Sequence, residues 1–181
     1  MAKKASKRVA VVLCQGGNLA KRKADRSAPA GDCVQAVADF PQGVLECARG
    51  CLGLGTCVAV CRPGAILIND HGVAEVEAGK CVGCGLCSKR CPQGIIGMVS
   101  RENVVAPRCS NTDKGNVAKE ICEVSCVACR ICERNCPADA IAVIDNRAVI
   151  DESRCIACGM CVVKCPRGVI VDSDGIILRA R

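Results

Sequence analysis

Two cysteine runs of identical spacing constrain this chain more than any other stretch: Cys126-Val-Ala-Cys129-Arg-Ile-Cys132-Glu-Arg-Asn-Cys136-Pro137 and Cys155-Ile-Ala-Cys158-Gly-Met-Cys161-Val-Val-Lys-Cys165-Pro166. Intervals of two residues let three successive thiolates close around one small inorganic body. The three-residue interval begins a helical turn that aims the fourth thiolate away. Proline then disfavours helical geometry at that last cysteine, so the chain leaves extended. C-x2-C-x2-C-x3-C-P is the arrangement that holds a 4Fe-4S cube on its first three cysteines and sends the fourth to a neighbouring cube. The expected sets are Cys126, Cys129, Cys132 with Cys165, and Cys155, Cys158, Cys161 with Cys136. A disulfide scaffold and a four-cysteine zinc site are the weaker alternatives, because chance repetition of this spacing in tandem is very rare.

The same ruler finds a third intact run, Cys81-Val-Gly-Cys84-Gly-Leu-Cys87-Ser-Lys-Arg-Cys91-Pro92, and an altered one from Cys47 to Pro63. In the altered run Cys51, Cys57 and Cys61 keep the first, third and fourth places, and Leu54 stands in the second. Cys47 matches Cys122, which precedes Cys126 by the same interval. Either the Leu54 site holds a three-iron cluster with a vacant corner, or Cys47 supplies the missing thiolate; the second is favoured. The module's sets would then be Cys47, Cys51, Cys57 with Cys91, and Cys81, Cys84, Cys87 with Cys61. Cys14, Cys33, Cys109 and Cys122 are left over, the number a fifth 4Fe-4S cluster needs. Cys14 and Cys109 lie in Gly- and Asn-bearing loop sequences whose backbone amides could donate to sulfur. A fifth cluster on these four is one expectation, a zinc site or unligated thiols the others.

Between the runs the chain repeats short β-branched stretches joined by turn residues. Gly64–Ile68 turns at Asn69-Asp-His-Gly72 into Val73–Val76, and Ala140–Ile144 turns at Asp145-Asn146 into Ala148–Ile150; Val169–Val171 with Ile176–Leu178 is a third hairpin candidate. His71, in the first turn, reads as solvated rather than as a ligand. The fold class is therefore α+β, two tandem bacterial-type two-cluster ferredoxin modules of short helices and small β-hairpins, with an N-terminal extension. The expected divisions are a basic disordered tail at 1–8, an extension at 9–44 carrying Cys14 and Cys33, module one at 45–100, a linker at 101–119 carrying Cys109, and module two at 120–181. Within the extension, Val9–Leu13 reads as a strand. Asp32 reads as the N-cap of a helix with Val34, Val37 and Ala38 at helical spacing and Phe40 as a packing residue.

Composition agrees with metal-dependent folding. Twenty of 181 residues are cysteine, and the aromatics amount to one Phe, so inorganic clusters must supply much of what an apolar core ordinarily would. Reduced, iron-bound thiols point to the cytoplasm, and no segment approaches the ~20 apolar residues of a membrane span. The formal charge of +7 is not a nucleic-acid signal. Each oxidised cube with its four thiolates adds about −2, so four clusters bring the total to about −1 and five to about −3. With no aromatic platform or base-reading element beside the cations, nucleic-acid binding is not expected.

Cys14-Gln-Gly16, Asp32-Cys33, Gly50-Cys51-Leu-Gly-Leu-Gly-Thr-Cys57, Cys109-Ser-Asn-Thr-Asp-Lys-Gly115 and Cys122-x3-Cys126 together resemble the ferredoxin-rich, RnfB-type polyferredoxin region of the Rnf electron-transport complex. The resemblance runs from about Val9 onward. It implies an electron wire that takes electrons from reduced ferredoxin and passes them to flavoprotein or NAD(P)H oxidoreductase subunits, with no catalytic activity of its own. In that family a membrane helix and a separate four-cysteine domain precede this region; neither stretch is among the residues here, so membrane association and ion pumping are not carried over from the resemblance, and a place in a membrane complex stays open. The alternative is a small iron-sulfur enzyme with an open or three-iron cluster at Leu54, which lacks any supporting nucleotide loop or Ser-His pair.

Overall fold

The computed structural model describes residues 7–24, 31–102 and 105–172. Strand β1 (Arg8–Val12) comes first, followed by helices α1 (Cys33–Asp39) and α2 (Thr56–Ala59), the hairpin of β2 (Ile66–Ile68) and β3 (Ala74–Val76), helix α3 (Leu86–Arg90) and strand β4 (Ile96–Ser100). The second half runs β5 (Val105–Pro107), α4 (Gly115–Ile121), α5 (Ile131–Arg134), the hairpin of β6 (Ile141–Ile144) and β7 (Arg147–Ile150), α6 (Met160–Lys164) and β8 (Ile170–Asp172).

Among the described residues the strands pair antiparallel in two-stranded sheets: β1 with β4, β2 with β3, β5 with β8, β6 with β7. The first two of the three hairpin candidates form, each turned by its own chemistry. Asn69 Oδ1 accepts from the N–H groups of His71 and Val73, both at 3.1 Å, the side-chain turn that Asn favours. Asp145 and Asn146 both take positive φ, 47° and 60°, as a two-residue hairpin of the I′ kind requires.

The remaining two sheets differ from the sequence reading. Ile170–Asp172 pairs with Val105–Pro107, in register Val105 with Asp172 and Pro107 with Ile170; the second arm of the third hairpin candidate, Ile176–Leu178, lies outside the described residues. β1 and β5, from the stretches read above as extension and linker, each close a sheet with the last strand of the adjoining ferredoxin unit. Each unit thus runs strand, cysteine run, hairpin, cysteine run, strand. The two copies repeat down to single bonds: Leu13 N–H donates to the Ile95 carbonyl at 2.7 Å and Arg108 N–H to that of Val169 at 2.7 Å.

Each unit has its own small core, one around Val12, Ile66, Val73, Ile95 and Ile96, the other around Val105, Ile141, Ala148, Val162 and Ile170. A third cluster, Ala36, Val44, Leu45 and Leu52 with Cys33, Phe40 and Leu54 against it, packs the stretch between β1 and the first run onto the start of that run. There Asp32 Oδ1 caps α1 by accepting from Val34 and Gln35 N–H, both at 2.9 Å. The buried face of α1 is not the expected Val34–Val37–Ala38 stripe; those residues are exposed and Ala36 faces inward, because a seven-residue helix anchored at Cys33 and Phe40 turns Ala36 between them. His71 is exposed, as expected. Among the described residues, no helix is long and apolar enough to cross a membrane.

Candidate metal centres

Each run is shaped by two left-handed residues that flank its second position. They are Gly53 and Gly55, Gly83 and Gly85, Ala128 and Arg130, Ala157 and Gly159, all with φ between 52° and 78°. This alternation makes the short intervals curl, and a one-turn helix then starts just before the third cysteine. Cys57, Cys87 and Cys132 are consequently buried, while the second-position thiols Cys84, Cys129 and Cys158 are exposed. Cys91 and Cys165 end their helices in extended geometry, ψ 113° and 112°, ahead of Pro92 and Pro166. The fourth-position sulfurs of Cys61, Cys136 and Cys165 accept N–H bonds from Ala65, Ala140 and Val169 at 3.3, 3.3 and 3.4 Å.

Four cavities of nearly equal size are lined by four cysteines apiece. Cys126, Cys129, Cys132 and Cys165 surround one of about 340 Å³, and Cys155, Cys158, Cys161 and Cys136 another of about 340 Å³; these are the exchanged sets that the spacing predicts. The third, about 330 Å³, is lined by Cys33, Cys51, Cys57 and Cys91. Cys33 therefore stands where Cys47 was expected. It opens α1, its N–H donates to Thr56 Oγ1 at 2.7 Å, and it packs with Leu54 in the third apolar cluster, beside the place where the other runs carry their second cysteine. In the same unit, Cys61 and Cys81 lie near enough to Cys87 for their charge to act on its thiol, with exposed Cys84 in the loop between them.

The fourth cavity, about 320 Å³, is lined by Cys14, Cys47, Cys109 and Cys122. The expected residual set was Cys14, Cys33, Cys109 and Cys122; three of these line this cavity with Cys47, while Cys33 lines the third. The arrangement is symmetric. Cys14 and Cys109 each sit two residues past the closing strand of their unit, and their sulfurs accept from the N–H groups of Cys51 and Cys126, both at 3.4 Å. Cys47 and Cys122 each precede the first run by the same interval. Each unit thus supplies two thiols, and the backbone is stitched across the gap: Lys21 N–H donates to the Ile121 carbonyl at 2.8 Å, Glu123 N–H to that of Leu19 at 3.0 Å, and Ser110 Oγ to that of Leu13 at 2.9 Å. Gly16 approaches so closely that a Cβ there would lie 3.2 Å from Cys122 Sγ.

Electrostatics decide what can occupy these cavities. Burial pushes the thiols of Cys47, Cys57 and Cys161 up to about 12, and those of Cys109 and Cys132 up to about 11. Cys51, Cys87 and Cys122 are raised by the same cause, with the Arg167 guanidinium pulling the other way at Cys122. Clustered bare thiolates are thus unfavourable, and a positively charged inorganic core is what would hold these sulfurs deprotonated. A single zinc would draw its sulfurs to about 3.8 Å of one another through bonds of about 2.3 Å. Among the described residues, no three His, Cys, Asp or Glu side chains meet closely enough to share one ion. Four thiols spread around an apolar space, with amides donating to sulfur, fit a 4Fe-4S cube.

Sequence reasoning missed Arg108 and Asn111, which also line the fourth cavity; no spacing rule links them to cysteines elsewhere in the chain.

Comparison with known proteins agrees with this chemistry. Residues 46–95 match a 4Fe-4S dicluster domain and residues 148–171 a 4Fe-4S binding domain. Its relatives include the B subunits of ion-translocating oxidoreductase complexes from three organisms. With that of the Na(+)-translocating ferredoxin:NAD(+) oxidoreductase complex of Acetobacterium woodii the chain is 42% identical over 148 residues, covering 81% of this chain and 44% of that one. With that of the proton-translocating ferredoxin:NAD(+) oxidoreductase complex of Clostridium ljungdahlii it is 36% identical over 137 residues, covering 68% of this chain and 48% of the relative. With that of the ion-translocating oxidoreductase complex of Methanosarcina acetivorans it shares 38% identity over 78 residues, 43% of this chain and 30% of the other. The chain spans less than half the length of each of these curated relatives.

Proposed function

We propose, from the premise that this chain is a 4Fe-4S ferredoxin-type protein homologous to the B subunits of ferredoxin:NAD(+) oxidoreductase complexes, that it relays single electrons from reduced ferredoxin to a flavoprotein or NAD(P)H oxidoreductase partner in the cytoplasm. Five clusters carry the current. Their ligands are Cys33, Cys51, Cys57 and Cys91; Cys81, Cys84, Cys87 and Cys61; Cys126, Cys129, Cys132 and Cys165; Cys155, Cys158, Cys161 and Cys136; and Cys14, Cys47, Cys109 and Cys122. A bound cluster supplies reversible uptake of one electron. The chain's own residues exclude water from the third-position thiols, donate backbone N–H to the fourth-position sulfurs, and leave one thiol of each intact run at the surface, where a partner can approach.

The observation that carries this reading is the cavity of Cys14, Cys47, Cys109 and Cys122, which takes two cysteines from each unit and so links what would otherwise be two separate two-cluster ferredoxins. The enzyme alternative is weakened by Cys33, which lines the cavity of Cys51, Cys57 and Cys91 as a fourth thiol. Iron and acid-labile sulfide assayed on anaerobically purified protein should each come to about twenty per chain, the content of five cubes, and reduced ferredoxin should bleach the visible absorbance. About sixteen of each would remove the fifth cluster. Failure of ferredoxin to reduce a fully loaded protein would remove the proposed donor.

A further inference from the structure

Only two buried side-chain nitrogens among the described residues lack a hydrogen-bond partner, Arg108 Nε and Asn111 Nδ2, and both residues line the cavity of Cys14, Cys47, Cys109 and Cys122. A buried donor with no acceptor is destabilising, so two at one site need an explanation. Neither is free to turn away. Asn111 is 4% exposed, and its Oδ1 accepts from Asp113 N–H at 2.9 Å, which fixes the sense of the amide and leaves Nδ2 on the other side. The Arg108 guanidinium is tied through Nη1 to the Val12 carbonyl at 3.3 Å, leaving Nε unused.

Symmetry sharpens the point. The positions of unit one equivalent to Arg108 and Asn111 are Leu13 and Gly16, which carry no side-chain donor. Arg49 adds another cation to the lining, and the Arg167 guanidinium donates to the Cys122 carbonyl at 3.0 Å beside it. The cavities of Cys33 and of Cys155 have no arginine or lysine in their walls; that of Cys126 has Arg130, which pairs with Glu133 at 2.8 Å, and Arg167, whose Nε and Nη2 donate to the Ser125 and Cys122 carbonyls.

We infer that Arg108 and Asn111 are positioning residues which aim their free N–H groups at sulfur on the body seated in this cavity, and so give the junction the highest reduction potential in the chain. N–H donors and cations near sulfur favour the more negative, reduced state. The step concerned is transfer of one electron with no bond made or broken: a cluster of the receiving unit is oxidised by one electron, the junction is reduced by one, and the electron leaves to the other unit. The junction is then where an electron rests between the two modules. This rests on the five-cluster reading above.

The test is an anaerobic redox titration of the full holoprotein followed by EPR, run on wild type, Asn111→Leu and Arg108→Lys. In wild type one cluster equivalent should be reduced at a potential above the rest. Asn111→Leu should cut its reduced fraction at fixed poise about tenfold, a downward shift of about 59 mV for one electron, with the other midpoints unmoved. Arg108→Lys, which keeps the charge but loses Nε, should shift the same midpoint downward and decides the matter if Asn111→Leu does not load the junction. Five loaded clusters with the highest midpoint unchanged in the variants, or five that titrate together, overturn this inference alone. An iron content near sixteen overturns it together with the five-cluster reading.

Discussion

At the scale of single residues, the most informative exchange is that of Leu54 for cysteine and the arrival of Cys33 in its neighbourhood. If Cys33 is the relocated ligand, Cys33→Ala should produce a three-iron EPR signal in the oxidised protein, and the double variant Cys33→Ala, Leu54→Cys should abolish it by restoring the usual second position. Leu54→Cys should do nothing for Cys47→Ala, whose cavity lies elsewhere. Rescue of Cys47→Ala instead would return the ligand set to the one expected from sequence. The loop around Leu54 also has less freedom than its counterparts. Alanine occupies the left-handed position at Ala128 and Ala157, but a Cβ on Gly53 would lie 2.4 Å from the Gly72 carbonyl oxygen, so the hairpin turn of unit one permits only glycine there.

At the scale of elements, one-turn helices hold little by themselves, since nucleation is unfavourable and so short a segment gains few bonds. Helix α2 is therefore fixed by what it touches. Thr56 is 3% exposed, and its hydroxyl accepts the Cys33 N–H at 2.7 Å, tying α1 to α2 across the cavity of Cys33 and Cys51. Thr56→Val keeps the shape and strands that N–H, a loss of about 1–3 kcal/mol. Chelator-driven bleaching should acquire a faster phase worth one cluster, with the other phases unaltered; uniform kinetics would show that the contact is dispensable. The hairpins and the intact runs were legible because their signals are local: turn residues at fixed offsets and thiols within a few residues of one another. The pairing of β5 with β8 was not, because Val105–Pro107 is three residues long and its partner lies more than sixty positions away. The same holds for Cys33 and Cys47, whose exchange depends on how the chain between β1 and the first run folds back, which no spacing encodes.

At the scale of the whole molecule, the apolar clusters of the two units are built partly from the cluster cysteines themselves. Removing the iron therefore empties the centre of each core, and the metal-binding free energy is folding free energy. Extraction of iron by chelator without denaturant should collapse the far-ultraviolet circular dichroism in step with the visible bleaching. Retention of a cooperative thermal transition in the iron-free chain would refute this dependence.

The closing sheets have a consequence for ancestry. Because β1 lies beside β4 and β5 beside β8, the first and last strands of each unit are neighbours, and a unit so closed can be duplicated head to tail without unpairing either copy. The stretch between closing strand and first run lies outside those sheets, and it is here that the copies have diverged in length, Cys14 to Cys51 against Cys109 to Cys126. The first copy nevertheless has three cysteines in it, Cys14, Cys33 and Cys47, and the second has two, Cys109 and Cys122. A duplication that began as two independent wires could thus become one circuit by thiols placed in its most variable segment, the part of a gene where insertions are most readily tolerated.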